Sequence, residues 1–184
     1  EWTGILVSNH ASADDMMSAE YAKAEQLFSE QKYSEALSVF RQLAGYKESN
    51  EYIDKCIVLI RQNAQRGDVI TFGKYEQNWG TNGKEDIEWV VLDNSNNELL
   101  LISKDYLDFR PYHSSKTNIT WENSSIRKWL NSEFYDAAFD QEEKSIILLS
   151  HNINDDNKTF GTDGGNATDD YVFFLSVDEA NKYV

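Results

Sequence analysis

The sequence predicts an α+β protein in two parts, an N-terminal helical hairpin followed by a mixed α+β domain. Three observations carry this reading. From Asp14 to Gln65 apolar residues recur at i, i+3, i+4 and i+7, the period of an amphipathic helix. From Val69 to Lys104 the runs VITFGKY, IEWVVLD and ELLLISK are rich in β-branched and aromatic residues and are parted by turn formers. The charge also steps along the chain. Residues 1–66 carry ten acids and seven bases, net −3, whereas residues 67–184 carry 22 acids and ten bases, net −12. That step puts a boundary near Gly67. The expected organisation is a lead-in over residues 1–13, a helical module over 14–66 and an α+β domain over 67–184.

In the helical module, Asp14 or Ser18 is the expected cap of a first helix that carries Tyr21, Ala24, Leu27 and Phe28 on one face. A break at Glu30-Gln31-Lys32 precedes a second stripe, Tyr33, Ala36, Leu37, Phe40 and Leu43. Gly45 then stands where a helix end needs a left-handed residue. A third helix presents Tyr52, Ile53, Cys56, Ile57 and Ile60. Three short amphipathic helices joined by tight turns pack antiparallel.

In the second part, GDVITFGKYEQN predicts a short strand that bends at Gly73, and the two runs flanking Asn94-Ser95-Asn96-Asn97 predict a hairpin. Pro111 marks a turn. The period then changes: Ile126, Trp129, Leu130 and Phe134 share a helical face that Asn131 is expected to close, and Asp140 with Glu143 forms a capping box for another helix. NINDDNKTFGTDGGNATDD reads as a long surface loop and YVFFLS as a buried strand. Ser176 with Glu179 caps a last helix that the chain end interrupts, so the natural domain is expected to continue past Val184.

Composition narrows the function. The 184 residues are 40% apolar and 13% aromatic, with five Trp, ten Tyr and nine Phe, enough to fill a core. A net charge of −15 argues against nucleic acid and anionic lipid surfaces, both polyanions. Cys56 is the sole cysteine, so no internal disulfide forms. No apolar run reaches the ~18 residues that a membrane helix needs. The chain starts at Glu1 rather than Met, as a mature or trimmed form does.

No catalytic constellation emerges. Cys56 sits among apolar neighbours, His10, His113 and His151 lack metal-ligand spacing, and no phosphate-cradle, nucleophile-elbow or dinucleotide motif is present. Carboxylate pairs such as Glu122 with Glu133 carry little information in a chain of 32 acids. Asp155, Asp156, Asp163, Asp169 and Asp170, with nearby Asn residues, are the candidate calcium ligands; a solvated acidic loop is the alternative. Trp79, Tyr106, Arg110, Tyr112 and Trp121 are the candidate ligand-binding residues, because exposed aromatic faces beside planar polar groups suit sugar rings or peptide segments. Trp121 and Trp129 also read as core anchors.

Two resemblances add to this. YAKAEQLFSEQKYSEALSVFRQLAGYKESNEYIDKC, with Tyr33, Ala36 and Phe40 in register, resembles a tetratricopeptide-type repeat; about one repeat and a following helix are covered, and the usual first-helix glycine is absent, Ala24 standing in that region. That resemblance implies a protein-interaction surface through Tyr21, Phe28, Tyr33 and Phe40, or a plain spacer. Residues 67–184, through GDVITFGKYEQ, IEWVVLD, LLISKDYLDFRPYH, TWENSSIRKWLNSEFYDAAF and VFFLSVDEANKY, resemble a bacterial family of domains of unknown function. Trp121, Ile126-Arg127, Trp129-Leu130-Asn131, Phe134 and Ala138-Phe139 are its most specific residues. More distantly, that family is similar to the C-type-lectin-like fold shared with formylglycine-generating enzymes. The cysteines those enzymes use are missing here, as are the Trp-Leu-Arg and Gly-Val-Arg-Pro segments with which family members close. The resemblances imply a non-enzymatic binding module for carbohydrate or peptide, with a scaffold acting through the helical repeat as the alternative and a carboxylate hydrolase a distant third. They also favour an extracytoplasmic or cell-surface location.

Overall fold

The computed structural model describes residues 12–78, 80 and 83–183. It is a mixed α+β structure in two compact units. One holds the helices through Gln65 together with Asn94–Leu99; the other holds Arg66–Asp93 and the chain from Leu100 onward. Of the expected lead-in only Ser12 and Ala13 are described.

The helices of the first unit are α1 (Ala13–Ser29), α2 (Tyr33–Gln42) and α3 (Ser49–Asn63). Its cap differs from both expected residues. Ser12 Oγ accepts from the Asp15 N–H at 3.1 Å while Asp15 Oδ2 accepts from the Ser12 N–H at 3.0 Å, a reciprocal box that satisfies two orphan donors. Asp14 accepts instead from the Tyr46 hydroxyl. Gln31, at φ 61°, makes the left-handed turn between α1 and α2. Fully buried Ala24 and Ala36 lack bulk, which lets the helices approach and seats Phe40 flat on Tyr52, ring centres 4.6 Å apart. Tyr21 meets Phe40 edge-on at 5.7 Å.

The aromatic face expected to meet a partner is therefore largely spent inside the unit. Tyr21 and Phe40 are buried, and the half-buried pair Phe28 and Tyr33 contact each other at 5.4 Å. Burial, reinforced by the bond to Glu48, pushes the Tyr21 hydroxyl up to about 12. Cys56 is also buried, and burial raises its thiol to about 11.

After the helices come β1 (Val69–Tyr75), β2 (Glu85–Ser95) and β3 (Glu98–Ser103), an antiparallel sheet in the order β1-β2-β3 that lies in the second unit except for the hairpin end Asn94–Leu99. The β2–β3 turn is the two residues Asn96 and Asn97, at φ 53° and 61°, the left-handed pair a tight hairpin requires. The bend expected at Gly73 lies inside its strand. β1 runs on to Tyr75, and the register slips between Thr71 and Lys74, so Gly73 lies in a β-bulge. Its φ is +76°, and a Cβ there would lie 2.6 Å from a ring carbon of Phe139. Its N–H donates to the buried carboxylate of Glu143 at 3.0 Å.

Residues 125–138 form one helical run: α4 (Ser125–Trp129), a π turn (Leu130–Phe134) and α5 (Tyr135–Ala138). Asn131 falls inside the run and does not close it. α6 (Gln141–Ile146) starts at the expected Asp140–Glu143 box, and α7 (Val177–Tyr183) at the expected Ser176–Glu179 pair. Ile87, Ile126, Leu130, Phe134, Ala138 and Phe139 form the core, with Trp129 packed against it. β4 (Ser150–Asn152) and β5 (Thr168–Asp170) pair at the base of the acidic loop. The expected strand at 171–176 has no ladder, and Phe174 is 54% exposed.

Gly73→Ala is expected to destabilise the chain by about 2 kcal/mol, because it combines a left-handed φ with a steric clash. Chemical denaturation should show a lower midpoint at unchanged slope; a midpoint equal to the parent's would contradict the packing described here. Cys56 should stay unmodified by a thiol reagent at pH 8 under native conditions and react on unfolding.

Candidate functional site

The second unit is organised around one carboxylate. Asp170 is completely buried and accepts five hydrogen bonds. Arg127 Nε at 2.6 Å and Asn131 Nδ2 at 3.3 Å reach Oδ1. Trp121 Nε1 at 2.9 Å, Asn152 Nδ2 at 3.2 Å and Thr168 Oγ1 at 2.7 Å reach Oδ2. Burial alone would raise this carboxyl, but the bonds from Trp121, Thr168, Asn152 and Arg127 outweigh it and hold the group below the usual range. The Arg127 fork also spans two backbone carbonyls, Glu122 O and Asp169 O, each at 3.2 Å.

Asn131, placed by the π turn, accepts from the Tyr171 and Val172 N–H groups and donates to Val172 O. Those are backbone groups a strand would spend on a ladder, which is why 171–176 is irregular.

With this helix fixed, its outer side forms one wall of an open depression of about 740 Å³. Ser124 caps the run, its Oγ accepting from the Arg127 N–H at 3.2 Å and donating to Trp121 O at 2.9 Å. The other wall includes Arg110, Pro111 and Ser114, from a segment clipped to the start of the helix. The Ile126 N–H donates to Tyr112 O, the Ser114 N–H donates to Ser125 Oγ, and His113 Nδ1 accepts from the Ser125 N–H at 3.2 Å. Arg110, Pro111, Glu122, Lys128, Trp129 and Glu133 are among the lining residues. The Arg110 guanidinium carbon stands 4.2 Å from the centre of the Trp129 ring, and its Nε donates to Asp108 Oδ2 at 3.1 Å. Tyr75 donates to the same oxygen at 2.9 Å. Burial works against ionisation of Asp108, yet the bonds from Tyr75 and Arg110 prevail and keep its carboxyl low.

The predicted ligand-binding residues are partly brought together. Tyr112 and Trp121 lie 6.5 Å apart, and Trp121 continues to the half-exposed Phe174 at 5.5 Å. Arg110 lies in the depression. Tyr106 is 98% exposed, with Phe109, 86% exposed, close by in the chain. Trp79 lies outside the described residues. The sequence reading missed Lys128, Trp129 as a shelf for Arg110, and Phe174; the helical period did place Lys128 off the apolar face.

Among the described residues no three His, Cys, Asp or Glu side chains converge to hold a metal. Asp156 and Asp163 instead accept the N–H groups of Gly164 and Gly165, Asp169 faces His151 Nδ1 at 2.7 Å, and Asp170 is the buried hub. Asp155 contributes its backbone to a close crossing: a Cβ on Gly164 would stand 1.9 Å from Asn154 O and 2.5 Å from Asp155 O. The Asp156 and Asp163 carboxylates hold the backbone at Gly164-Gly165.

Residues 96–183 match the family model described as a domain of unknown function, DUF6273. That stretch is shorter than the 67–184 expected from resemblance, and it contains the Asp170 hub and every residue lining the depression. No curated protein and no solved structure matches the chain.

Asp170→Asn should cost about 3 kcal/mol, since it leaves the Arg127 guanidinium, half-sheltered in the site, without its counter-charge. The pH sign follows from the lowered carboxyl. Its contribution is complete above the unfolded carboxyl value, about 3.9, and is lost as pH falls through the lower folded value. Denaturation across pH 2–7 should therefore show an acid limb that the Asn variant loses in part; identical limbs would remove Asp170 from that role.

Proposed function

We propose that the second unit is a non-catalytic recognition module, C-type-lectin-like in character, that binds a saccharide in the depression between 110–114 and the helical run. The tetratricopeptide-like helices act as a spacer. The observation that carries this is the guanidinium of Arg110 over the Trp129 ring, 4.2 Å from its centre, at the edge of an open site near which the rings of Phe109 and Tyr112 are exposed. Planar donors beside exposed aromatic faces complement pyranose hydroxyls and C–H faces. The volume, about 740 Å³, falls in the range of small-ligand sites.

The hydroxyls that could serve as nucleophiles have structural employment, which supports binding over catalysis. Ser124 Oγ caps the helix, and Ser125 Oγ accepts from Ser114 while it meets His113 Nδ1 at 3.0 Å. A peptide ligand uses the same features less well, because the site offers side chains rather than an open strand edge.

The test is thermal unfolding and titration against a glycan panel and a peptide panel. A ligand at a hundred times its dissociation constant stabilises by about 2.7 kcal/mol, which a melt detects. The double variant Arg110→Gln, Tyr112→Ala should weaken saccharide binding at least tenfold with the melting temperature of the free protein retained within a few degrees. Undiminished affinity in that folded variant would sink the assignment of the site.

A further inference from the structure

We infer that His113 is a pH-sensitive latch: as the neutral ring it fastens residues 112–114 to the start of the helical run, and on taking up a proton it lets go. No ligand is needed for this, so the inference stands or falls apart from the recognition reading above.

Two contacts converge on one ring nitrogen. The Ser125 N–H donates to His113 Nδ1 at 3.2 Å, and Ser125 Oγ lies 3.0 Å from the same atom. A nitrogen that accepts from a backbone N–H must present a lone pair, so Nδ1 is bare and the ring hydrogen sits on Nε2. Ser125 Oγ accepts from the Ser114 N–H at 3.1 Å, which leaves its own hydrogen for Nδ1. The donors thus run one way, from Ser114 through Ser125 Oγ to His113, and the Ser125 N–H joins at the same end. The bond from the Ile126 N–H to Tyr112 O completes the clip.

A proton on Nδ1 turns that acceptor into a donor. The Ser125 hydroxyl can rotate to accept it, but a backbone N–H cannot rotate, so the Ser125 N–H loses its acceptor and faces a second donor. The ionisable groups on the two elements that meet here do not compensate. Arg110 is bonded to Asp108 and Arg127 to Asp170, and burial pushes the Tyr112 hydroxyl up, so it stays neutral. Among the described residues Lys116, Glu122 and Lys128 make no bond to His113, and Glu122 Oε2 accepts from Asn166 Nδ2 instead. His151 has the opposite arrangement: its Nδ1 faces the Asp169 carboxylate at 2.7 Å, a partner that favours the charged ring. Because the clipped segment supplies Arg110, Pro111 and Ser114 to the depression, release at His113 loosens that wall.

The experiment is nitrogen-15 NMR of the intact chain from about pH 8 to 5, the range in which histidine ordinarily changes charge. Residue-specific signals keep His113 apart from His151. The expected result is the Nε2–H tautomer of His113 at the alkaline end, with the Ser125 amide resonance shifting at the same midpoint as the ring. Exchange of the Ser125 amide, corrected for the intrinsic effect of pH, should quicken about tenfold on the acid side, the loss of one hydrogen bond. His113→Asn offers an amide oxygen at about the reach of Nδ1, an acceptor that no proton displaces, and should keep Ser125 protected at both ends. A hydrogen on Nδ1 at the alkaline end would overturn the inference, as would a Ser125 amide indifferent to titration of the ring. So would a folded Asn variant whose Ser125 amide loses protection in acid as the parent's does. If the Asn variant does not fold, the parent's tautomer and the shared midpoint decide the matter.

Discussion

A single buried carboxylate holds the second unit together. Asp170 has no solvent and no room for a partial set of partners, so each of its five bonds fixes a different piece of chain: Trp121 the entry to the helical run, Arg127 its first turn, Asn131 the π turn, Asn152 the strand β4, and Thr168 the strand β5. An ion buried this way stabilises little in net terms, because desolvation consumes much of its attraction to Arg127. What it confers is definition. Any arrangement that withdraws one donor leaves part of the charge unsatisfied, and the cost of that excludes near-native alternatives. Asn131 extends the constraint outward by taking up the backbone of Tyr171 and Val172, which carries the chain past the hub without a strand.

A second buried carboxylate does comparable work on the opposite flank. Glu143 belongs to the capping box that starts α6, and its other oxygen accepts the Gly73 N–H exposed by the bulge. The bulge places Gly73 against Phe139, where only a residue without Cβ fits. Sheet and helix are therefore joined through a backbone donor and a ring, and Ile87, Leu130 and Phe134 are buried in the same core cluster as that ring.

What the sequence disclosed and what it concealed divide along sequence distance. The stripes of α1–α3, the Asn96-Asn97 turn and the boxes at Asp140–Glu143 and Ser176–Glu179 depend on residues within a few positions of each other, and all were legible. The first cap went to Ser12 rather than Asp14 or Ser18 because neighbouring polar residues compete on nearly equal terms. Gly73 announced a bend, but the form it takes, a bulge inside a continuing strand, is held by Phe139 and Glu143, some seventy residues later. Asp170 looked like one member of an acidic run. Its partners lie 2, 18, 39, 43 and 49 residues away, and no local pattern distinguishes it from Asp169, which is exposed. The candidate site followed the same rule: Arg110 and Tyr112 were legible as side chains of the right chemistry, whereas the Trp129 shelf needed the helix to be in place.

The adjacency of Arg127 and Lys128 shows how one helical turn serves both structure and surface. Successive helix residues point about 100° apart, so one side chain turns inward while its neighbour faces water. The inward position must satisfy a carboxylate and two carbonyls set at different angles, which a planar guanidinium with a fixed fork can do and a compact ammonium cannot. The outward position needs only a mobile point charge that adapts to what approaches, the property of lysine. Exchanging the two residues would preserve net charge and composition and would still damage the inward role, because a lysine at 127 would leave carbonyls unbonded. The charge of this chain is thus meaningful by position: of two adjacent cations, one is spent on the buried Asp170 and the other faces water.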